Sequence, residues 1–176
     1  MPVPVTDFAA ACIGERLYVA GGWMVRTHHS QGPGGGSPAL QIYDFGAGTW
    51  SIGPPLPRPL YMCAGAAFGS KIFVSGGKHG FEEFADCVVC YDTETGAWAE
   101  GPRLPTERQD HTMLVHQNRL LLLGGGDADR GGSVPPLVYV ERHSGGDAAW
   151  IHDPDVVPPM PPGHDVGANI CSAHIG

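Results

Sequence analysis

Three features of this chain recur at one fixed spacing, and that spacing is too long to belong to a helix or a strand. Tyr43, Trp50 and the pair Gly53-Pro54 return 48 residues later as Tyr91, Trp98 and Gly101-Pro102. Tyr139 stands another 48 on, and Trp150 follows it after 11 residues where the first two copies have 7. The four extra residues fall within "RHSGGDAAW", and insertions are accommodated in turns. A second mark keeps the same order: an apolar run that stops on two glycines, "LYVAGG" at 17–22, "IFVSGG" at 72–77 and "LLLLGG" at 120–125. A period of this size marks a supersecondary unit that cannot bury its apolar face alone and must stack on its neighbours.

Each unit parses into four short strands. The first is small and apolar: FAAACI (8–13), CAGAAF (63–68) and HTMLVH (111–116). The second is the run ending in Gly-Gly. The third is ALQIYDF (39–45), DCVVCYD (86–92) and PLVYVER (136–142), and the fourth carries the Trp. A Pro-rich link then leads onward. Composition agrees, because 27 Gly and 17 Pro without a three-residue period point to many tight turns, and the runs between them are rich in Val, Ile, Leu and Tyr. With 42% hydrophobic and 16% charged residues the chain is not of the disordered, charge-rich class. The fold class read from this is all-β, and four antiparallel strands in about 48 residues is the size of a propeller blade.

The Gly-Gly doublets, the Tyr43-Asp44 and Tyr91-Asp92 pairs, the following Trp and the Pro-Leu-Pro link with its Arg together resemble the kelch repeat. The third copy departs from it, with Val140 after Tyr139 and Gly163 where the link Arg falls. The resemblance implies a kelch-type β-propeller over residues 1–176, with blades at 8–53, 63–101 and 111–153 and the first strand of an unfinished fourth at 164–176. The structural signature is Gly21, Gly22, Gly76, Gly77, Gly124 and Gly125, with Tyr43, Trp50, Tyr91, Trp98, Tyr139 and Trp150. The glycines are expected to allow close backbone approach and positive φ where the second strand ends, and the aromatics to fill the space between sheets. Closed propellers carry roughly four to eight blades. Three leave both outer faces apolar, to be met by further blades of the same chain or by a self-association partner.

Net charge is −8 with ten Lys and Arg in no cluster, which speaks against nucleic acid as a partner. The N-terminus lacks a cationic start, and no apolar run reaches bilayer length, so neither a secretion signal nor a membrane is expected. Five cysteines, an odd number at unhelpful spacings, suit reduced thiols in the cytoplasm or nucleus.

The chemistry-bearing residues yield little that points to catalysis. Cys87 and Cys90 form a CxxC within a strand, where residues three apart face opposite ways with Cα atoms about 10 Å apart. That is beyond the reach of a disulfide, and they read as buried thiols. Asp127 and Asp129 lack the remaining ligands of a calcium loop, and His28-His29 sit in a glycine-rich loop without a carboxylate partner. No nucleophile elbow, zinc motif or phosphate loop is present, so neither enzyme activity nor a cofactor is expected.

What remains is a rim. The loops after the second strands (23–38, 78–85 and 127–135) differ in length and content while the strands repeat, which is how binding surfaces are usually arranged. Trp23, His79, Phe81 and Phe84 are the candidate anchors there. Arg58 and Arg108 match the link Arg, a position that in the kelch family can face the central channel, there to grip acidic groups or to brace the next blade. The expected role is a protein-interaction module, such as the substrate-recognition part of a ubiquitin-ligase adaptor. The alternatives are part of a kelch-type enzyme (galactose-oxidase-like, or a sugar-acid mutarotase) and a cytoskeletal cross-linker.

Overall fold

The computed structural model describes residues 1–24, 35–80, 83–126, 135–140 and 147–158. Asp127, Asp129, His28, His29, Phe81, the four-residue insertion and the segment 164–176 lie outside these.

A short β1 (Val5–Thr6) precedes β2 (Ala9–Ile13) and β3 (Arg16–Ala20); β4 (Trp23–Met24) pairs back with β1, and β5 (Leu40–Asp44) and β6 (Thr49–Ile52) complete the first unit. The second unit is β7 (Ala64–Phe68), β8 (Lys71–Ser75), β9 (Val88–Asp92) and β10 (Ala97–Glu100). The third is β11 (Thr112–His116), β12 (Arg119–Leu123), β13 (Leu137–Val140) and β14 (Ala149–Ile151). Each unit is one antiparallel four-stranded sheet whose strands neighbour one another in chain order, which is a propeller blade. No helix occurs among the described residues. Among the described residues the fold is a β-propeller arrangement of three blades, as the repeat implied.

The first strand of each blade is innermost, since β7 lies against β2 on one side and β11 on the other. Alternation within the strands then gives each blade two working faces. Ala9, Tyr18, Ala20 and Leu40 on the trailing face of blade 1 pack with Ile72, Val74, Val89 and Tyr91 on the leading face of blade 2. Ala64, Ala66, Phe73, Val88 and Cys90 on the trailing face of blade 2 pack with Met113, Leu120, Leu122 and Leu137 of blade 3. The core therefore lies between blades rather than within one. Cys87 and Cys90 fall into these two different clusters, on opposite faces, with Cys87 one residue ahead of the strand it was expected to lie in.

The signature residues have separate local duties. Trp98 donates its indole N–H to the Pro54 carbonyl of the preceding link at 2.9 Å, and Trp150 does the same to Pro102 at 3.1 Å. Asp44 accepts from the Ala47 amide, and Asp92 from the Glu94 and Thr95 amides, so the Tyr-Asp aspartate closes the turn between third and fourth strands. Those amide donors hold both carboxyls below the ordinary aspartate range. All six doublet glycines have positive φ. Gly22 and Gly77 donate their amides to the Leu60 and Arg108 carbonyls of the following links, so the doublet is a contact between blades.

Where each link turns into a first strand, one non-glycine residue is left-handed: Asp7, Met62 and Asp110, with φ of 54°, 54° and 53°. The Met62 amide donates to the Asp7 carbonyl and the Asp110 amide to the Met62 carbonyl, a backbone chain that runs from blade to blade.

The outer face of blade 1 differs from the expectation of a bare apolar sheet. Gln41, at the place of Val89 in blade 2, is fully buried; it accepts from the Val3 amide at 2.7 Å and donates to the Val3 carbonyl at 3.0 Å. Val5 is buried as well, so the N-terminal residues cover the inner half of that face.

Candidate functional site

The backbone places equivalent residues at the start of each rim loop. The residue after each doublet pairs with the residue that ends each link: Trp23 with Thr6, Lys78 with Tyr61, and Gly126 with Gln109. One frame thus presents an indole, an ammonium and no side chain at three matching positions. Trp23 was expected in a loop; it lies in β4, a two-residue strand too short to leave a periodic trace in the sequence.

Trp23 meets Tyr61 of the next blade edge-on, ring centroids 4.8 Å apart. The Tyr61 hydroxyl donates to the Gly80 carbonyl at 2.7 Å, fastening the loop that carries His79. The Lys78 ammonium stands 4.5 Å over the Phe84 ring, and the two residues also bridge through their backbones. Trp23, Lys78, His79 and Phe84 are all half-buried. His79 ties its amide to the Glu83 carbonyl at 3.0 Å, while its Nδ1 has no acceptor or donor among the described residues. The structure thus joins three of the four rim candidates in one patch across blades 1 and 2. Tyr61, which holds the patch together, was missed; its signal was its place just before the left-handed residue.

The two arginines part company. The 48-residue register sets Leu60, not Arg58, opposite Arg108, and Leu60 and Arg108 are both fully buried at matching points of their links. Arg108 donates through Nη1 to the Gly124 carbonyl at 3.1 Å and the Pro135 carbonyl at 3.2 Å, bracing the turn after blade 3's doublet. Arg58 instead makes an ion pair of 2.9 Å with Glu100 on the leading face of blade 2, with 35% and 55% of the two side chains exposed. In that setting the pair contributes at most about 1 kcal/mol.

A buried polar pair also stands at the junction of blades 2 and 3. Ser75 Oγ and His111 Nε2 are 2.9 Å apart, and both residues are buried. Burial, with Arg108 nearby, pushes the imidazole down to about 3, so it is neutral at ordinary pH. The same junction between blades 1 and 2 holds Ala20 and Cys63, an apolar pair in the same slot. A serine beside a histidine has the elements of a nucleophile and its base, but Ser75 is wholly enclosed and His111 Nδ1 finds no orienting acceptor among the described residues. Its evident work is to peg two blades together.

Burial likewise raises the thiols of Cys63, to about 12, and Cys90, to about 11, so neither is a ready nucleophile. Among the described residues no group of three or more His, Cys, Asp or Glu is placed to hold a metal ion. No helix among them is long and apolar enough to cross a membrane.

Comparison with known proteins agrees with the fold. The Kelch motif model matches residues 4–57 and 59–105, more than half of the chain. Kelch-like protein 41b of Danio rerio is 26% identical over 147 residues, covering 81% of this chain and 23% of that protein. The N-(sulfonatooxy)prop-2-enimidothioate sulfolyase of Thlaspi arvense is 29% identical over 168 residues, covering 88% of this chain and 45% of that enzyme. The chain thus spans under a quarter of the one relative and under half of the other. The solved structure of YjhT superposes with a TM-score of 0.59 at 19% identity, over 73% of this chain and 36% of that one, which is a likeness of fold. The third unit lies beyond the matched motif residues and is placed with the others by its four-stranded sheet. By its matched motifs, its repeat and its blades, the chain belongs to the kelch-motif family.

Proposed function

We propose that these blades are a protein-binding module whose contact surface is the rim patch of Trp23, His79 and Phe84. One observation carries the reading: a backbone frame repeated from blade to blade presents different side chains at its matching rim positions. Half-buried aromatics held by their neighbours bind without a large loss of side-chain freedom, which suits them as anchors. The finer role we propose is substrate recognition within a ubiquitin-ligase adaptor of the cytoplasm or nucleus, an inference from the kelch resemblance and the kelch-like relatives.

The test is affinity capture followed by reconstitution with the purified partner. Trp23→Ala and Phe84→Ala should each weaken that complex about tenfold or more, the usual effect of removing an aromatic anchor. Arg103→Ala, in the exposed ion pair with Asp86, should leave it unchanged. Wild-type binding by both aromatic variants sinks the reading. For the adaptor role, ubiquitination of the captured partner should depend on the same two residues.

A second reading has its own support, since the sulfolyase relative matches more of this chain than does the kelch-like relative. Under it the blades belong to a kelch-type enzyme. Release of sulfate from N-(sulfonatooxy)prop-2-enimidothioate by the purified protein would favour it, and no release would remove it.

A further inference from the structure

Gln41 is polar in a row that is otherwise apolar. Across blade 1 it stands in register with Ala10, Val19 and Ile52, and in blade 2 its place is taken by Val89, beside Val74. A fully buried side-chain amide costs free energy unless its oxygen and its N–H groups find partners. Gln41 finds them on the backbone of one residue. Its Oε1 accepts from the Val3 amide at 2.7 Å, and its Nε2 donates to the Val3 carbonyl at 3.0 Å. The side chain thus does what a neighbouring strand does at a hydrogen-bonded pair, and it reads nothing of the side chain at position 3.

Blade 2 shows what such a tie is for. Val3 stands as far before Asp7 as Arg58 stands before Met62, the left-handed residues where the two links turn into first strands. Arg58 is tied to its own blade by the ion pair with Glu100. Blade 1 has Val3 and Ile52 at those two places and cannot make that pair, and Gln41 supplies the tie instead. Each tie lies shortly before the residue that meets the rim. Tyr61 pairs there with Lys78 through backbone bonds of 3.2 and 2.8 Å, and Thr6 of β1 pairs with Trp23 of β4. β1 also lies hard against the doublet that precedes Trp23. A Cβ at Gly22 would stand 2.8 Å from the Thr6 carbonyl oxygen and 2.9 Å from the Val5 Cβ.

We propose that Gln41 is a positioning residue for the rim: by seating residues 3–6 on blade 1 it fixes β4, and with it the Trp23 indole. Gln41 is itself fully buried, beyond a partner's reach, and acts through Val3 and the Thr6–Trp23 pair. The role rests on the reading of Trp23 as an anchor, and it gives that anchor a reason to be rigid. An indole on a fixed strand loses little freedom when a partner covers it.

Amide hydrogen exchange followed by NMR tests this without a partner, so its failure is a separate result from failure of the anchor reading. Gln41→Met keeps the length of the side chain and removes both hydrogen-bonding groups. The Thr6 and Trp23 amides should then exchange about tenfold faster, the effect of two lost hydrogen bonds. The amides of β3 and β5 should keep their wild-type rates, which shows that the blade is folded. Val3→Pro removes the amide donor alone and should act in the same direction, whereas Val3→Ala should change nothing. Gln41→Glu adds a signature that packing alone would not produce. Burial favours the protonated carboxyl, which accepts and donates as the amide does. Against wild type at the same pH, Trp23 should therefore exchange normally in acid and fast at neutral pH, where a carboxylate faces the Val3 carbonyl. Wild-type exchange at Trp23 in Gln41→Met overturns the inference. Acceleration spread evenly over β3 and β5, or a Glu variant without pH dependence, overturns it as well. If exchange behaves as expected while Trp23→Ala leaves partner binding unchanged, the seating role stands and the anchor reading falls.

Discussion

Gly77 sits at φ 85°, and a Cβ there would run into the Tyr61 carbonyl oxygen, which is backbone and cannot step aside. Gly14 is also left-handed, at 55°, but a Cβ there meets nothing within 4 Å. Gly14→Ala should therefore cost about 1 kcal/mol from backbone strain alone, and Gly77→Ala about 3 kcal/mol or more. Urea melts of the two variants, compared with wild type, check the difference. The sequence exposed these glycines through repetition, because a doublet that returns three times at a strand end marks geometry. The Ser75–His111 pair left no such trace, since it occurs at a single junction and its members lie 36 residues apart. It carries a pH signature. The unfolded chain takes up a proton on His111 as pH falls past about 6.5, while the folded chain resists until about 3. The contribution is therefore complete above 6.5 and is lost as pH falls through that window, at up to about 1.4 kcal/mol per pH unit. Replacing His111 by Gln should flatten the wild-type fall in stability between pH 6.5 and 4.5. An equal slope in the variant would place the titration elsewhere.

At the scale of elements, the junctions are alike in backbone and different in content, and that makes them exchangeable. Ser75→Ala with His111→Cys rebuilds the apolar pair that Ala20 and Cys63 form one blade earlier. His111→Cys alone leaves an enclosed hydroxyl without its partner and should cost about 1–3 kcal/mol, and Ser75→Ala in the same protein should recover part of that loss. Thermal melts of the two singles and the double give the coupling; strict additivity would mean that the pair does not act as a unit. Strand identity was legible here because each strand alternates and each turn carries Gly, Asn or Asp. Third-strand limits were drawn a residue or two wide, and Cys87 fell outside β9 for that reason. The β1–β4 pair escaped notice, since two residues show no period. The mismatch of Arg58 with Arg108 came from matching residue types within the Pro-rich links, where the backbone register instead sets Leu60 against Arg108.

For the molecule as a whole, the far-ultraviolet circular dichroism should be that of a β protein, and a helical signal near a third of the residues would refute the architecture. The order of the three described blades was readable from the repeat because stacking units must share their signature. The covering of blade 1's leading face by Val3 and Val5 was not readable, because it depends on where the N-terminal residues lie. The backbone chain through Asp7, Met62 and Asp110 has a further consequence for how the assembly moves. Most amides in these blades are bonded within their own sheet and open to solvent only when that sheet unravels. The amides of Met62 and Asp110, with those of Gly22 and Gly77, are bonded to a neighbouring blade or its link. Two blades that separate as rigid bodies would leave every sheet amide protected and release the two that span their junction, Met62 and Gly22 between blades 1 and 2 or Asp110 and Gly77 between blades 2 and 3. Hydrogen–deuterium exchange at these positions therefore measures the hinge between blades apart from the melting of a blade. Faster exchange at Met62 and Gly22 than at Asp110 and Gly77 would identify the apolar junction, rather than the one pegged by Ser75 and His111, as the place where the stack opens first.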